Sequence, residues 1–574
     1  MRKNNGILMN VGILAAAGMI SRFIGFLYMI PLTYIIGDEG NGYYAAAFAV
    51  YIVFLLISSY TIPSAISKII AERLDVGEFK NAHRIFKCAI IYVTVVGMVG
   101  GLVLFIGADY FAPGRSAEVL RFFAPTIFIF GFLGVFRGYF QGHHNMKPTS
   151  ASQIIEQIFN AVVSVGGAYI LTQIAAGTDT STKAVYGAKG SALGTGTGVF
   201  VALLFMLYLY YTDRNKRTKR LESDCHEDIS YKEIYKKIIL IVTPFILSTA
   251  IYNLSTFINS TLFSRILMYV KHVNESNVAS MYGIFSRKAM VITNLPIAFS
   301  SAAASVMIPE IAGSYAKGDE KAVQETISKV TKVILLIAIP SAAGLFFLSR
   351  PVLMILFPQR ESIAEASMLL GFLAVTVVFY SLSTVSNAVL QGLGRVKVPV
   401  VNGFVSLVLQ TVTLSALLVF TDLRDISLCI VTILFSLSMC ILNAISLRDV
   451  TLGNDIKKIW GLPIISSIVM GGFAIGTYRL VTFLIFKAGK AWDTGIIPAE
   501  MLFEDYIYSD YLVNLVATVT AILVSVIVYF GVLFRSGAVS EEDIKDFLKE
   551  ISLIKYSKKC MLLNDENGCT VKNI

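Results

Sequence analysis

Apolar stretches of twenty residues or more recur from one end of this chain to the other, and a water-soluble fold has no interior large enough to hide them all. Hydropathy and chain breakers place them near 6 to 36, 43 to 70, 85 to 107, 119 to 140, 149 to 171, 187 to 211, 238 to 269, 280 to 308, 329 to 357, 362 to 390, 399 to 420, 425 to 447, 459 to 486 and 511 to 535. In lipid every backbone N–H must find its carbonyl within the segment, so each stretch reads as a helix. Fourteen such spans with short connectors use up the 574 residues and leave no room for a large extramembrane domain. Composition agrees: 55% of residues are hydrophobic and 15% charged, against roughly 45–50% and about 25% in soluble domains. The opening apolar stretch is too long for a signal peptide and reads as a retained first helix.

A net charge of +10 is what a nucleic-acid partner would call for, but the Lys and Arg residues gather in alternate loops. Arg73, Lys80, Arg84 and Lys87 form one group, Arg214 to Arg220 another, then Lys317 with Lys321 and Lys457 with Lys458. That is a topology signal, and it puts both termini in the cytoplasm of a cell-membrane protein with no nucleic-acid role. The six cysteines show no paired spacing, so neither disulfides nor a metal site is expected.

An internal repeat organises the chain. Gly77-Glu78-Phe79-Lys80 recurs as Gly318-Asp319-Glu320-Lys321, and Phe140-Gln141-Gly142 with Pro148 recurs as Leu390-Gln391-Gly392 with Pro399. Six spans separate each pair, an even number, so the halves run parallel about an axis normal to the membrane. The expected fold is an all-α integral membrane protein of about 14 transmembrane helices, with two parallel six-helix lobes around a central cavity plus a final helix pair. The divisions fall at 1–237, 238–458, 459–535 and a cytoplasmic tail, 536–574.

No Walker A loop, His-Glu-x-x-His or nucleophile elbow is present, and all five histidines fall in expected loops. The chain therefore reads as a transporter without cofactor. Chemistry then rests on ionisable residues inside spans, each costing about 2.5–3.5 kcal/mol at the bilayer centre unless it faces a cavity or a partner. Arg22 lies well inside the first span, and Arg287 and Lys288 about two turns into the eighth. Adjacent helical residues point about 100° apart, so only one of the last two is expected to face the cavity, and Lys288 is favoured. Arg137, Arg265, Arg350 and Arg479 sit near span ends, where snorkelling suffices. Glu156 is the carboxylate deepest in a span, open to a transport role or to a static ion pair. Asn160, Asn253 and Asn259 are polar cavity or helix-contact groups. The candidate substrate-contacting set is Arg22, Arg287, Lys288, Glu156, Gln157 and Asn253.

Ser21-Arg22-Phe23-Ile24-Gly25-Phe26, Gly37-Asp38-Glu39-Gly40-Asn41-Gly42, Arg137-Gly138-Tyr139-Phe140-Gln141-Gly142 through Pro148 to Glu156-Gln157, and Asn294-Leu295-Pro296 with Ile308-Pro309 resemble a known family. It is the polysaccharide-transport, MurJ-like branch of the multidrug/oligosaccharidyl-lipid/polysaccharide (MOP) exporter superfamily, and within it the stage V sporulation protein B and YtgP-type proteins. The resemblance implies a flippase for undecaprenyl-pyrophosphate-linked sugars such as lipid II, with a cationic cavity for the headgroup and a groove by the last two helices for the lipid tail. It implies membrane lipids as surroundings, a monomer, and a cell-wall synthase as a candidate partner. The MurJ pattern has a second arginine six residues after the one matched by Arg22, where this chain has Tyr28.

Two rivals stand beside this reading. A drug/cation antiporter of the same superfamily needs acidic groups where a cation binds, whereas the first helix here offers Arg22. A membrane glycosyltransferase or ligase needs a catalytic constellation at an outer loop, and loops 172 to 186 and 487 to 510 show none. Other lipid-linked polysaccharides, including teichoic-type cargo, remain alternatives. The coupling ion, sodium or a proton, or the membrane potential is left open.

Overall fold

The computed structural model describes residues 2–60, 62–357, 361–451, 460–491 and 510–536. These residues form helices joined by short turns, with no strand among them. The first rod is α1 (Arg2–Leu27), which continues after Tyr28 into α2 (Met29–Leu55). Pro31 has no N–H to give the Leu27 carbonyl, which explains the interruption. A kink at Gly37 (φ 69°) splits α2 and starts the second span at Asp38, which then runs through a π-helical turn, Leu56–Tyr60, into α3 (Ile62–Leu74).

The first half continues with α4 (Phe79–Ile106), the short α5 (Ala108–Phe111), α6 (Ser116–Gly142), α7 (Lys147–Ile174) and α8 (Thr180–Thr212). A basic surface helix, α9 (Arg214–Glu222), leads to α10 (Tyr231–Arg265) and a π turn, Ile266–Val270. The eighth span is α11 (Glu275–Gly283), a π turn over Ile284–Ala289, and α12 (Met290–Ala316). After it come α13 (Glu320–Phe347), α14 (Ser349–Leu356), α15 (Ile363–Ala374), α16 (Thr376–Gly392), α17 (Lys397–Phe420), α18 (Asp425–Ser446), α19 (Arg448–Thr451), α20 (Leu462–Ala491) and α21 (Tyr511–Arg535). Among the described residues twelve helices are long and apolar enough to cross a membrane. The first rod and α10 occupy the two other expected positions. His83 lies in the second turn of α4 rather than in a loop.

The repeat is visible in the backbone. Gly77 and Gly318 both have positive φ (83° and 72°). The Glu78 N–H reaches back to the Arg73 carbonyl as the Asp319 N–H does to Ser314. The same six-residue closure ends α6 (Asn145 to Phe140) and α16 (Arg395 to Leu390). All four are Schellman closures, which satisfy the last carbonyls of a helix and turn the chain at one membrane face.

The chain divides into two compact units, one of residues 1–334 with 349–452, the other of 335–348 with 453–574. In the larger unit the main core packs Tyr51, Phe123, Leu133, Ile66 and Val185, and a second core gathers Met307, Ile311, Val385 and Leu390. In the smaller, Met470, Tyr529 and Leu533 pack together, and the Tyr529 hydroxyl donates to the Leu336 carbonyl at 3.0 Å. The 536–574 tail assigned from sequence lies almost wholly outside the described residues, as does Lys458.

Segment 223–230, which joins the halves, is stapled to the start of α4. Asp224 accepts from the Lys80 N–H (2.6 Å) and the His226 N–H (2.9 Å), and contacts His226 Nδ1 (2.7 Å). Burial alone would raise the Asp224 carboxyl, but these donors outweigh it and bring the carboxyl from 3.8 down to about 2. The depressed value means the staple is at full strength above pH 3.8 and is lost as pH falls through about 2. Asp224→Ala should therefore speed hydrogen exchange across 224–230 roughly tenfold at neutral pH, after correction for intrinsic rates, because charge-assisted bonds are lost. Unchanged protection would show that the staple does not hold the connector.

Candidate functional site

The sequence halves meet within the larger unit where α2 lies against α11. A Cβ on Gly42 would fall 1.8 Å from the Ala279 carbonyl oxygen, and one on Gly283 2.0 Å from that of Asp38. Backbones can approach this closely only where one side of the contact is a glycine, as Gly42 and Gly283 are here. The next turn is the π segment Ile284–Ala289, which carries Arg287 and Lys288. A π insertion rotates the side chains that follow it and is frequent at functional sites.

The structure sends these two cations to different environments. Lys288 is fully buried. Its ammonium lies 2.6 Å from Asp38 Oδ1 and donates to Ser362 Oγ at 2.7 Å, and Ser362 Oγ donates in turn to Asp38 Oδ2 at 2.5 Å. Arg287 instead places its guanidinium carbon 4.5 Å from the centre of the Tyr44 ring, an arrangement of the cation–π kind. Its Nε and Nη2 are shielded from solvent and have no hydrogen-bond partner. Around it, the Tyr28 hydroxyl interacts with the side chains of Tyr44 and Asn160, and Tyr44 pairs with Thr195 at 3.3 Å. Lys288, the cation favoured from sequence, is thus committed to an ion pair, whereas Arg287 keeps two donors without a hydrogen-bond partner.

Glu156 binds Arg137, Nη2 to Oε2 at 2.7 Å, and Arg137 Nε reaches Ser152 Oγ at 2.9 Å. Arg137 is 6% exposed, so it does not snorkel; Glu156 neutralises it in place. Of the two roles the sequence left open for Glu156, this geometry is that of the static pair. Glu156→Gln should lower the stability of the first half by about 3 kcal/mol, because a buried arginine loses its counter-charge. Denaturation in detergent with the same midpoint as wild type would contradict that.

Arg22 is exposed on α1. One turn further, a Cβ on Gly25 would stand 3.8 Å from Gln157 Oε1, which places half-buried Gln157 beside the Arg22 helix. Asn253 is half-buried on α10, while its neighbour along the helix, Asn259, accepts from Gln410 Nε2, with Ser255 bonding the same amide at 2.9 Å. The half-buried Arg265 caps the Tyr110 carbonyl, and Arg350 and Arg479 are exposed. Among the described residues no group of three or more His, Cys, Asp or Glu could hold a metal ion.

Sequence reasoning missed Tyr44, Ser362, Glu365 and Asp425. Ser362-x-x-Glu365 has the spacing of a helix-capping box, and Asp425 opens α18 beside Arg424, so both acids read as ordinary helix ends. A cavity of about 710 Å³ opens beside this cluster, lined by Tyr34, Asp38, Glu39, Lys183, Glu361 and Glu365 among others.

The profile of the family described as Polysaccharide biosynthesis protein matches residues 7–315, and that of MatE matches 234–415. The lipid II flippase MurJ of Bacillus subtilis (strain 168) is 24% identical over 429 residues, 71% of this chain and 76% of that protein. Stage V sporulation protein B of the same organism is 24% identical over 412 residues, 70% and 75% respectively. Among solved structures, the lipid II flippase MurJ in an inward closed conformation superposes with a TM-score of 0.63 at 13% identity, over 91% of this chain and 99% of that one. An inward-facing MATE transporter of the MOP superfamily gives 0.59 at 17% identity, over 76% and 96%. At these identities the structural likeness speaks for the fold.

Proposed function

We propose a transport function from one premise: the chain belongs to the polysaccharide biosynthesis protein family. In this reading it is a flippase that moves undecaprenyl-pyrophosphate-linked sugars, lipid II first among them, from the inner to the outer leaflet by alternating access of its two halves. The observation that carries the reading is Arg287, whose two shielded, unpartnered guanidinium nitrogens sit among the hydroxyls and amide of Tyr28, Tyr44 and Asn160. Such a fork matches a pyrophosphate oxygen pair, and a low-dielectric setting strengthens the bond. Arg22 on α1 supplies a second cation, and the relatives named above support a lipid-linked cargo.

Reconstituted liposomes carrying defined undecaprenyl-linked substrates test this directly. Flipping of lipid II at a rate well above that of empty liposomes is the expected result. Uptake of a cationic drug with no lipid II flipping would support the antiporter reading that the MatE match to 234–415 also favours.

The proposed orientation places the α7–α8 turn outside and α9 inside. Thr178→Cys, in a chain whose native cysteines have been replaced, should label with a membrane-impermeant thiol reagent in intact cells, and Lys219→Cys should not. The opposite pattern inverts the topology.

A further inference from the structure

The Arg287 site leaves a second buried charge cluster without a role. Asp425, the first residue of α18, is 8% exposed, and its Oδ2 is shielded with no hydrogen-bond donor. What it faces is another carboxyl, that of Glu365 on α15, at side-chain hydrogen-bonding distance. Two carboxylates offer only acceptors, so this contact is a bond when one of them carries a proton. We propose that Glu365 and Asp425 form a proton-binding pair that gates the Asp38 end of the transporter by competing with Asp38 for Lys288.

The geometry supplies both halves of the exchange. Asp38 belongs to α2 of the first half, while Lys288, Ser362, Glu365 and Asp425 all belong to the second. The Lys288–Asp38 pair, bridged by Ser362, therefore ties the halves together where α2 meets α11. With one proton the carboxyl pair carries a single negative charge, and Lys288 stays with Asp38. When that proton passes to water through the cavity beside Glu365, the pair carries two negative charges and draws the ammonium to its own half. The tie is then broken and the two halves can part. The charged and titratable groups facing the pair are Asp38 from α2, Lys288 from the π turn and Cys429 one turn along α18, with Tyr34, Glu39, Lys183 and Glu361 on the cavity wall.

The closed form holds one more proton than the open form, so the closed-to-open ratio falls by up to about tenfold per pH unit where the pair titrates. This inference rests on the alternating-access reading above, and its test omits the cargo so that the two can fail separately. Spin labels at Ala176→Cys and Asn277→Cys, both exposed and on opposite halves, report the separation in full-length protein in lipid nanodiscs with the native cysteines replaced.

Raising pH should shift the wild-type distribution to longer distances by 3- to 10-fold per unit. Glu365→Gln with Asp425→Asn keeps the bond but removes the charge, and should stay closed at every pH. Glu365→Gln alone should blunt the response if the double variant folds poorly. A variant that titrates like wild type overturns the proposal, as does a wild type that ignores pH and opens or closes with sodium.

Discussion

Arg287→Ala should abolish most flipping while leaving the protein folded in the membrane. The guanidinium has no hydrogen-bond partner at Nε or Nη2 in the resting structure, so its removal strands no protein acceptor at those atoms. It removes only the stacking on Tyr44 and the donors held for an anion. Hydrogen bonds to charged groups contribute about 1.5–3 kcal/mol each, so the loss in headgroup affinity should be roughly 10- to 150-fold. Arg287→Lys should recover part, because a point charge replaces a planar fork. Arg22→Ala should act in the same direction. Flipping assays and isotherms with undecaprenyl pyrophosphate separate binding from turnover. Full binding and full turnover by both alanine variants would misplace the pocket and remove the main support for an anionic cargo.

The second large effect is expected at Asp38. Asn in its place keeps the Ser362 contact but leaves Lys288, with 1% of its side chain exposed, without its charge partner. Breaking one side of a buried pair costs about 3–5 kcal/mol, and the closed form should bear that cost because the carboxyls of Glu365 and Asp425 wait on the other side. The labelled protein should move toward the open distribution by roughly 100-fold or more. Adding Lys288→Met to Asp38→Asn should restore closure by removing the stranded ammonium. An unchanged distance distribution in Asp38→Asn would mean that the halves are held by their other contacts, the backbone packing at Gly42 and Gly283 and the Arg115 N–H bond to Glu275 among them.

How far the sequence reaches can be judged residue by residue. Span positions were legible because lipid imposes one rule on every segment: a helix of about twenty apolar residues. The parallel repeat was legible because Gly77 and Gly318, like Gln141 and Gln391, mark helix ends whose closure depends on local backbone chemistry alone. That Arg22, Arg287 and Lys288 are charges placed within apolar spans was legible for the same reason, since desolvation singles such residues out.

Which partner each charge takes was decided only by tertiary structure. Lys288 meets Asp38 from 250 residues away, and Ser362 and Glu365 come from a third segment. Arg287 and Lys288 are neighbours in sequence, yet the π turn that carries them points one at an ion pair and the other at an aromatic ring. Arg137, which position near a span end marked for the interface, is instead neutralised by Glu156 from the next helix. Period and hydropathy report how one segment meets lipid. Pairing across the bundle depends on helix rotation, on π insertions and on glycine contacts as close as Gly42 with Ala279, and these are set by packing among distant segments.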